Sequence, residues 1–198
     1  PEQEADEYTE NLFDEMMSRP CGEDDVGDPA ALAEQAQDAG IDRYALLSLM
    51  KLRNIAMWTS CLCQVWEQQL ISFILHEARL EGVEYRKEDI GKGFSFAKEV
   101  FAEYDVVFEN LACWPKVREL RDLVNVLKHA EGPSSQRLRK TRPDYFAFDT
   151  GSGKYDRLSM YHTTLGEETL NIDDAEMRDY CAALLAFWDE VPEHMMLL

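Results

Sequence analysis

The residues best suited to chemistry lie between Glu119 and Pro143, in the stretch ELRDLVNVLKHAEGPSSQRLRKTRP. From Lys116 to Arg142 the chain carries eight basic residues against three acids, a local excess of five cations in a protein whose formal net charge is −19. Such an excess marks a surface able to hold an anion while the rest of the chain repels one. A solvated helix face followed by a basic loop has the same composition. Arg121, Asn125 and His129 follow one another at four-residue steps. At about 100° per residue they draw a polar line roughly opposite the apolar stripe of Val117, Leu120, Leu123, Val124 and Leu127. An imidazole with an unperturbed pKa of about 6.5 can move a proton near neutrality, and an arginine one or two turns away can hold a phosphate. Those roles suit RNA cleavage. His129 would assist proton transfer at the ribose 2′-hydroxyl or the leaving oxygen, Arg121 would stabilise charge on the phosphoryl oxygens, and Asn125 would orient either group. Lys128, Arg137, Arg139, Lys140 and Arg142 would contact phosphates. The competing reading makes His129 a helix C-terminal residue, where positive charge is favourable.

The helix that must carry these groups can open at Pro115, whose missing N–H costs nothing in a first turn, and close before Gly132 and Pro133. It is expected from about Pro115 to Ala130. The stretch from Arg121 to His129 resembles the signature of the HEPN superfamily, in which an arginine, commonly followed by a polar residue such as asparagine, precedes a histidine on the same helix by four to six intervening positions. Asn125 and His129 match the polar residue and the histidine. Val124 stands where the arginine would directly precede Asn125, and Arg121 has seven residues between it and His129. The resemblance implies a helical bundle, metal-independent endoribonuclease activity, a homodimer with this helix at its interface, and a place in a bacterial stress, toxin–antitoxin or antiviral system. A second reading, resting on the displaced arginine and the acidic charge, is a non-catalytic interaction subunit that binds a partner protein or a nucleotide.

The remaining elements follow from periodicity and punctuation. The first 28 residues hold eleven acids and one base, with Tyr8, Leu12, Phe13, Met16 and Met17 at helical spacing. They read as an acidic arm with a short helix from about Gln3 to Ser18, either solvated or docked on the basic stretch. Pro20, Gly22, Gly27 and Pro29 make a linker, and residues 29–198 are expected to form one helical domain, HEPN-like on the resemblance above. A helix from Pro29 to Ala39 should end at Gly40, and Asp42 can open another that runs to about Glu81 without Gly or Pro. Leu46, Leu49, Met50, Ala56, Met57, Cys63, Trp66, Leu70, Phe73 and Ile74 supply its apolar positions. A connection over Gly82–Gly93, a helix from about Ser95 to Leu111, a basic helix capped by Ser134 or Ser135, a β-hairpin within Tyr145–Ile172 and a last helix over Asp173–Val191 complete the expectation. The fold class is all-α: a helical bundle built on two long helices and a C-terminal helix, with a small inserted β-hairpin.

Five cysteines in no regular framework point to free thiols and a cytoplasmic, reducing setting. Cys61 and Cys63, two apart on a helix, cannot chelate one ion together and read as core fillers. No metal or other cofactor is expected. The most apolar long stretch, Ile55–Leu75, is interrupted by Gln64, Glu67, Gln68 and Gln69, so no membrane span is expected.

Overall fold

The computed structural model describes residues 1–19, 28–149, 151, 153–165 and 168–194; residues 20–27 of the expected linker, Cys21 among them, lie outside these. Contacts divide the chain into two compact units, residues 1–53 and 54–198. Among the described residues there are eight α-helices and one two-stranded sheet, the all-α architecture with an inserted hairpin. No described helix is long and apolar enough to cross a membrane.

In the first unit, α1 (Glu2–Ser18) packs against the opening part of α2 (Pro29–Glu81). Ala5 and Ala36 are buried in this contact, and Arg43 of α2 holds Glu4 of α1 at 2.6 Å. The expected stop at Gly40 is absent: α2 passes straight through it as one helix of 53 residues. A glycine inside a helix costs about 1 kcal/mol relative to alanine. Here it is needed for space, because a Cβ at position 40 would lie 1.9 Å from Thr9 Oγ1.

The second unit takes in the rest of α2, whose buried side advances through Ile55, Thr59, Cys63, Trp66, Leu70 and Ile74 in steps of three and four. Met57, expected among the core positions, is half exposed because it falls some 200° round the helix from Ile55. Leu46 and Met50, on the α2 segment of the first unit, are likewise half exposed. Cys63 is buried, which pushes its thiol up to about 12, whereas Cys61, two residues back and so on the other side, is exposed rather than a core filler.

The expected connection after α2 contains a short helix, α3 (Lys87–Ile90), and α4 (Phe94–Glu103) ends earlier than expected. The reason is local: Asp105 adopts a positive φ of 63°, and the chain then forms a 3-10 turn over Phe108–Asn110. α5 (Trp114–His129), α6 (Pro133–Thr141) and a 3-10 turn over Pro143–Phe146 follow. Strands β1 (Ala147–Asp149) and β2 (Lys154–Asp156) pair antiparallel with Phe148 opposite Tyr155. α7 (Arg157–Tyr161) leads to α8 (Asp174–Glu190), whose N-cap Asp173 accepts from the Ala175 and Glu176 amides. Phe187 of α8 is the hub of the core, meeting Trp66 at 5.2 Å edge-on and Phe108 at 5.1 Å between ring centroids. Such offset aromatic contacts add to area burial. They lock α8 against α2 and the turn that leads into α5, and so set the position of α5.

Candidate functional site

α5 owes its orientation to Val117, Leu120, Leu123, Val124 and Val126, all buried. It ends at His129 because Ala130 turns to a positive φ of 57°. Gly132 then caps α6, and Ser135, expected as a cap itself, sits three residues inside the helix, accepting from the Gly132 amide at 3.0 Å. The short turn sends α6 back along α5, where Arg137 clamps the buried carboxylate of Asp122 at 2.5 Å. Further on, Lys140 and Thr141 share a cleft with Trp114, Pro115 and Arg118 at the start of α5.

The side of α5 left uncovered carries Arg118, Asn125 and His129, all exposed. Their steps of seven and four residues keep them within about 20° of one line on the helix. None of the three has a hydrogen bond or ion pair among the described residues. Lys128 is also exposed, about 80° to one side of Arg118 by the same rotation.

Arg121 lies elsewhere. Its Nε donates to Glu67 of α2 at 2.9 Å, and its guanidinium stacks 3.3 Å above the Phe94 ring, so it closes the joint between α5, α2 and α4. The structure thus brings Asn125 and His129 together on an open face without Arg121, and puts Arg118 on that face instead. Sequence spacing contained this signal, since 118, 125 and 129 align better than 121, 125 and 129. What it did not contain was the pair with Glu67, 54 residues away.

Three of the expected phosphate contacts are engaged within the protein. Arg137 holds Asp122 and Ser134. Arg139 grips Glu131 at 2.5 Å and Asp156 at 2.7 Å, tying the α5–α6 turn to the hairpin. Arg142 joins Glu119, Asp144 and Glu176, linking α5 to α8. A directed chain of hydrogen bonds runs through this last cluster: Arg142 donates to Tyr145 Oη, Tyr145 shares a bond of 2.8 Å with Tyr180, and Tyr180 donates to Glu119. Burial raises the pKa of both tyrosines, which keeps them as neutral donors. Among the described residues, Lys140 alone of the α6 set is exposed without such a partner.

No family model, curated protein or solved structure matches this chain.

Proposed function

We propose that the protein binds single-stranded RNA along the uncovered face of α5 and cleaves it without a metal, as a HEPN-like component of a bacterial stress, toxin–antitoxin or antiviral defence system. The observation that carries this reading is the pairing of Asn125 and His129 on one open face, without hydrogen-bond or ion-pair partners among the described residues and flanked by Lys128 and Arg118. In the reaction the 2′-oxygen attacks phosphorus and loses its proton, the bond to the 5′-oxygen breaks, and that oxygen gains a proton. The products are a cyclic phosphate and a 5′-hydroxyl. One imidazole serves one of the two transfers. A homodimer that pairs the α5 faces would bring a second His129 for the other, in line with the dimer that the resemblance implies. Asn125 would orient the attacked phosphate. Arg121, paired with Glu67 and stacked on Phe94, would act only by fixing α5 against α2 and α4.

The test is a labelled RNA incubated with the wild type, His129→Ala and a chelator. Cleavage that disappears with His129 and ignores the chelator supports the reading; cleavage that survives the substitution rejects the site. A monomeric mass by light scattering at tens of micromolar would remove the paired-site arrangement.

The engagement of Arg121 favours a second reading, a non-catalytic subunit that uses the same face to dock a partner protein or a nucleotide. Absence of cleavage by every form, beside retained binding, would support it.

A further inference from the structure

We propose that the cleft between the start of α5 and the end of α6 is a phosphodiester subsite, which holds the RNA strand at a distance from His129. The proposal rests on the RNA reading above and assigns the path of the strand. The cleft encloses about 700 Å³, within the ~300–1,000 Å³ typical of ligand sites. Its carboxylates are already neutralised. Asp122 is clamped by Arg137, Glu119 accepts from Lys116, Arg142 and Tyr180, and Glu109 is paired with Lys98.

Two cations at the cleft have no such partner. Arg118 and Lys140 are exposed and make no ion pair or hydrogen bond among the described residues. Lys140 therefore presents uncompensated positive charge in a chain whose formal charge is −19, Arg118 shares the field of Glu109 with Lys98, and exposed Pro115 adds apolar lining beside the nearly buried Trp114. Trp114 is packed on Phe94 and Phe108 and offers no free face to a base, so the cleft suits the phosphodiester of a strand, held by two cations with its sugar against Pro115, better than a free inorganic anion.

Position on the helix connects the cleft to the proposed centre. Arg118 lies eleven residues before His129 on the same line, about 16 Å along the axis at ~1.5 Å per residue. At the ~3.4 Å per phosphate of a helical strand, that span covers about five phosphates. One strand can therefore sit over His129 and reach Arg118 and Lys140. A dinucleotide cannot.

The experiment measures fluorescence anisotropy of a labelled, 2′-O-methylated 12-nucleotide single-stranded RNA, which binds without being cut, over a series of salt concentrations. Full-length wild type is compared with Arg118→Glu/Lys140→Glu and with Lys87→Glu/Arg178→Glu, which makes the same change in net charge at exposed residues elsewhere. The cleft variant should bind at least tenfold more weakly than wild type, and its salt slope should be shallower by about 1.4, at ~0.7 per lost single-strand phosphate contact. The control should stay within threefold. Circular dichroism melts check that both variants fold.

Binding by the cleft variant within threefold of the control would overturn the subsite, as would failure of the wild type to bind the 12-mer. Uridine monophosphate competing as tightly as the 12-mer would make the cleft a free-nucleotide site and overturn the strand path. Cleavage of unmodified RNA by wild type and His129→Ala is read in parallel. Loss of binding in the cleft variant without any cleavage leaves the subsite standing and sinks the nuclease. His129-dependent cleavage with normal binding by the cleft variant does the reverse.

Discussion

Truncating Arg121 removes two contacts at once, the bond to Glu67 and the stack on Phe94, whereas truncating His129 removes no hydrogen bond or ion pair among the described residues. Arg121→Ala should therefore lower stability by about 1–2 kcal/mol, the sum of a cation–π contact and a part-exposed ion pair. His129→Ala should leave the melting temperature within about a degree of wild type, because exposed substitutions stay near zero on this scale. Thermal melts of the two variants check this, and a stable Arg121→Ala protein would mean that the guanidinium is held only loosely. Any loss of cleavage in that variant must then be measured well below its melting temperature, so that unfolding is not counted as lost chemistry. The open positions Asn125 and His129 were legible in the sequence because helical rotation alone places them off the apolar stripe, whereas it puts exposed Lys128 only about 20° from the buried Val117. The fate of Arg121, Arg137, Arg139 and Arg142 was not, since each depends on a carboxylate that only the tertiary fold brings near. Pattern reading identifies a cation but not whether an acid from another element has already claimed it.

Helix boundaries follow a similar rule, which Gly40 illustrates. Read locally it is a terminator, but in the fold it is the point where α1 approaches α2 too closely for a side chain. Gly40→Ala would gain about 1 kcal/mol of helix propensity in isolation. Here the new methyl meets Thr9 Oγ1, which is itself bonded to the Ala5 carbonyl at 3.0 Å, so the variant should loosen α1. Hydrogen exchange over residues 2–18 should speed up in Gly40→Ala and partly recover in Gly40→Ala/Thr9→Ala; unchanged exchange would show that Thr9 simply rotates away. On α5, whose apolar stripe was legible, Leu123→Ala should cost about 2–5 kcal/mol as a cavity in the core. The turn after α5 carries a pH signature. Hydrogen bonds from Arg139 above all, then from Ser135, hold the Glu131 carboxyl below the usual carboxylate range. A depressed folded pKa gives stabilisation that is complete above the unfolded value of about 4.3 and is lost as pH falls through the lower folded value. Glu131→Gln should therefore melt lower than wild type at pH 7 and lose less stability on acidification below about pH 4.3. Parallel acid transitions for the two proteins would take Glu131 out of that loss.

Across the whole molecule the decisive quantity is charge. Residues 1–53 hold fourteen acids and four bases, a net of −10, and residues 54–198 hold the other −9 together with the basic strip. On the RNA reading proposed above, a strand drawn to Arg118, Lys128 and Lys140 would approach against both, with a penalty that depends on salt because the Debye length is about 8 Å at physiological ionic strength and about 30 Å at 0.01 M. Neutralising four exposed acids of α1, in Asp6→Asn/Glu7→Gln/Glu10→Gln/Asp14→Asn, tests the long-range part without cutting the chain. If these charges act only through the general field, the variant should bind the 12-nucleotide RNA several-fold more tightly near 0.01 M salt and like wild type at 0.15 M. If α1 instead competes directly for the proposed phosphate-binding cations, the gain should persist at 0.15 M, since charges in contact are screened far less than separated ones. Equal binding at both salt concentrations would mean that the acids of α1 act on neither the approach nor the seat of the strand. The measurement is a pair of anisotropy titrations, and the ratio of the two affinity gains decides between field and contact.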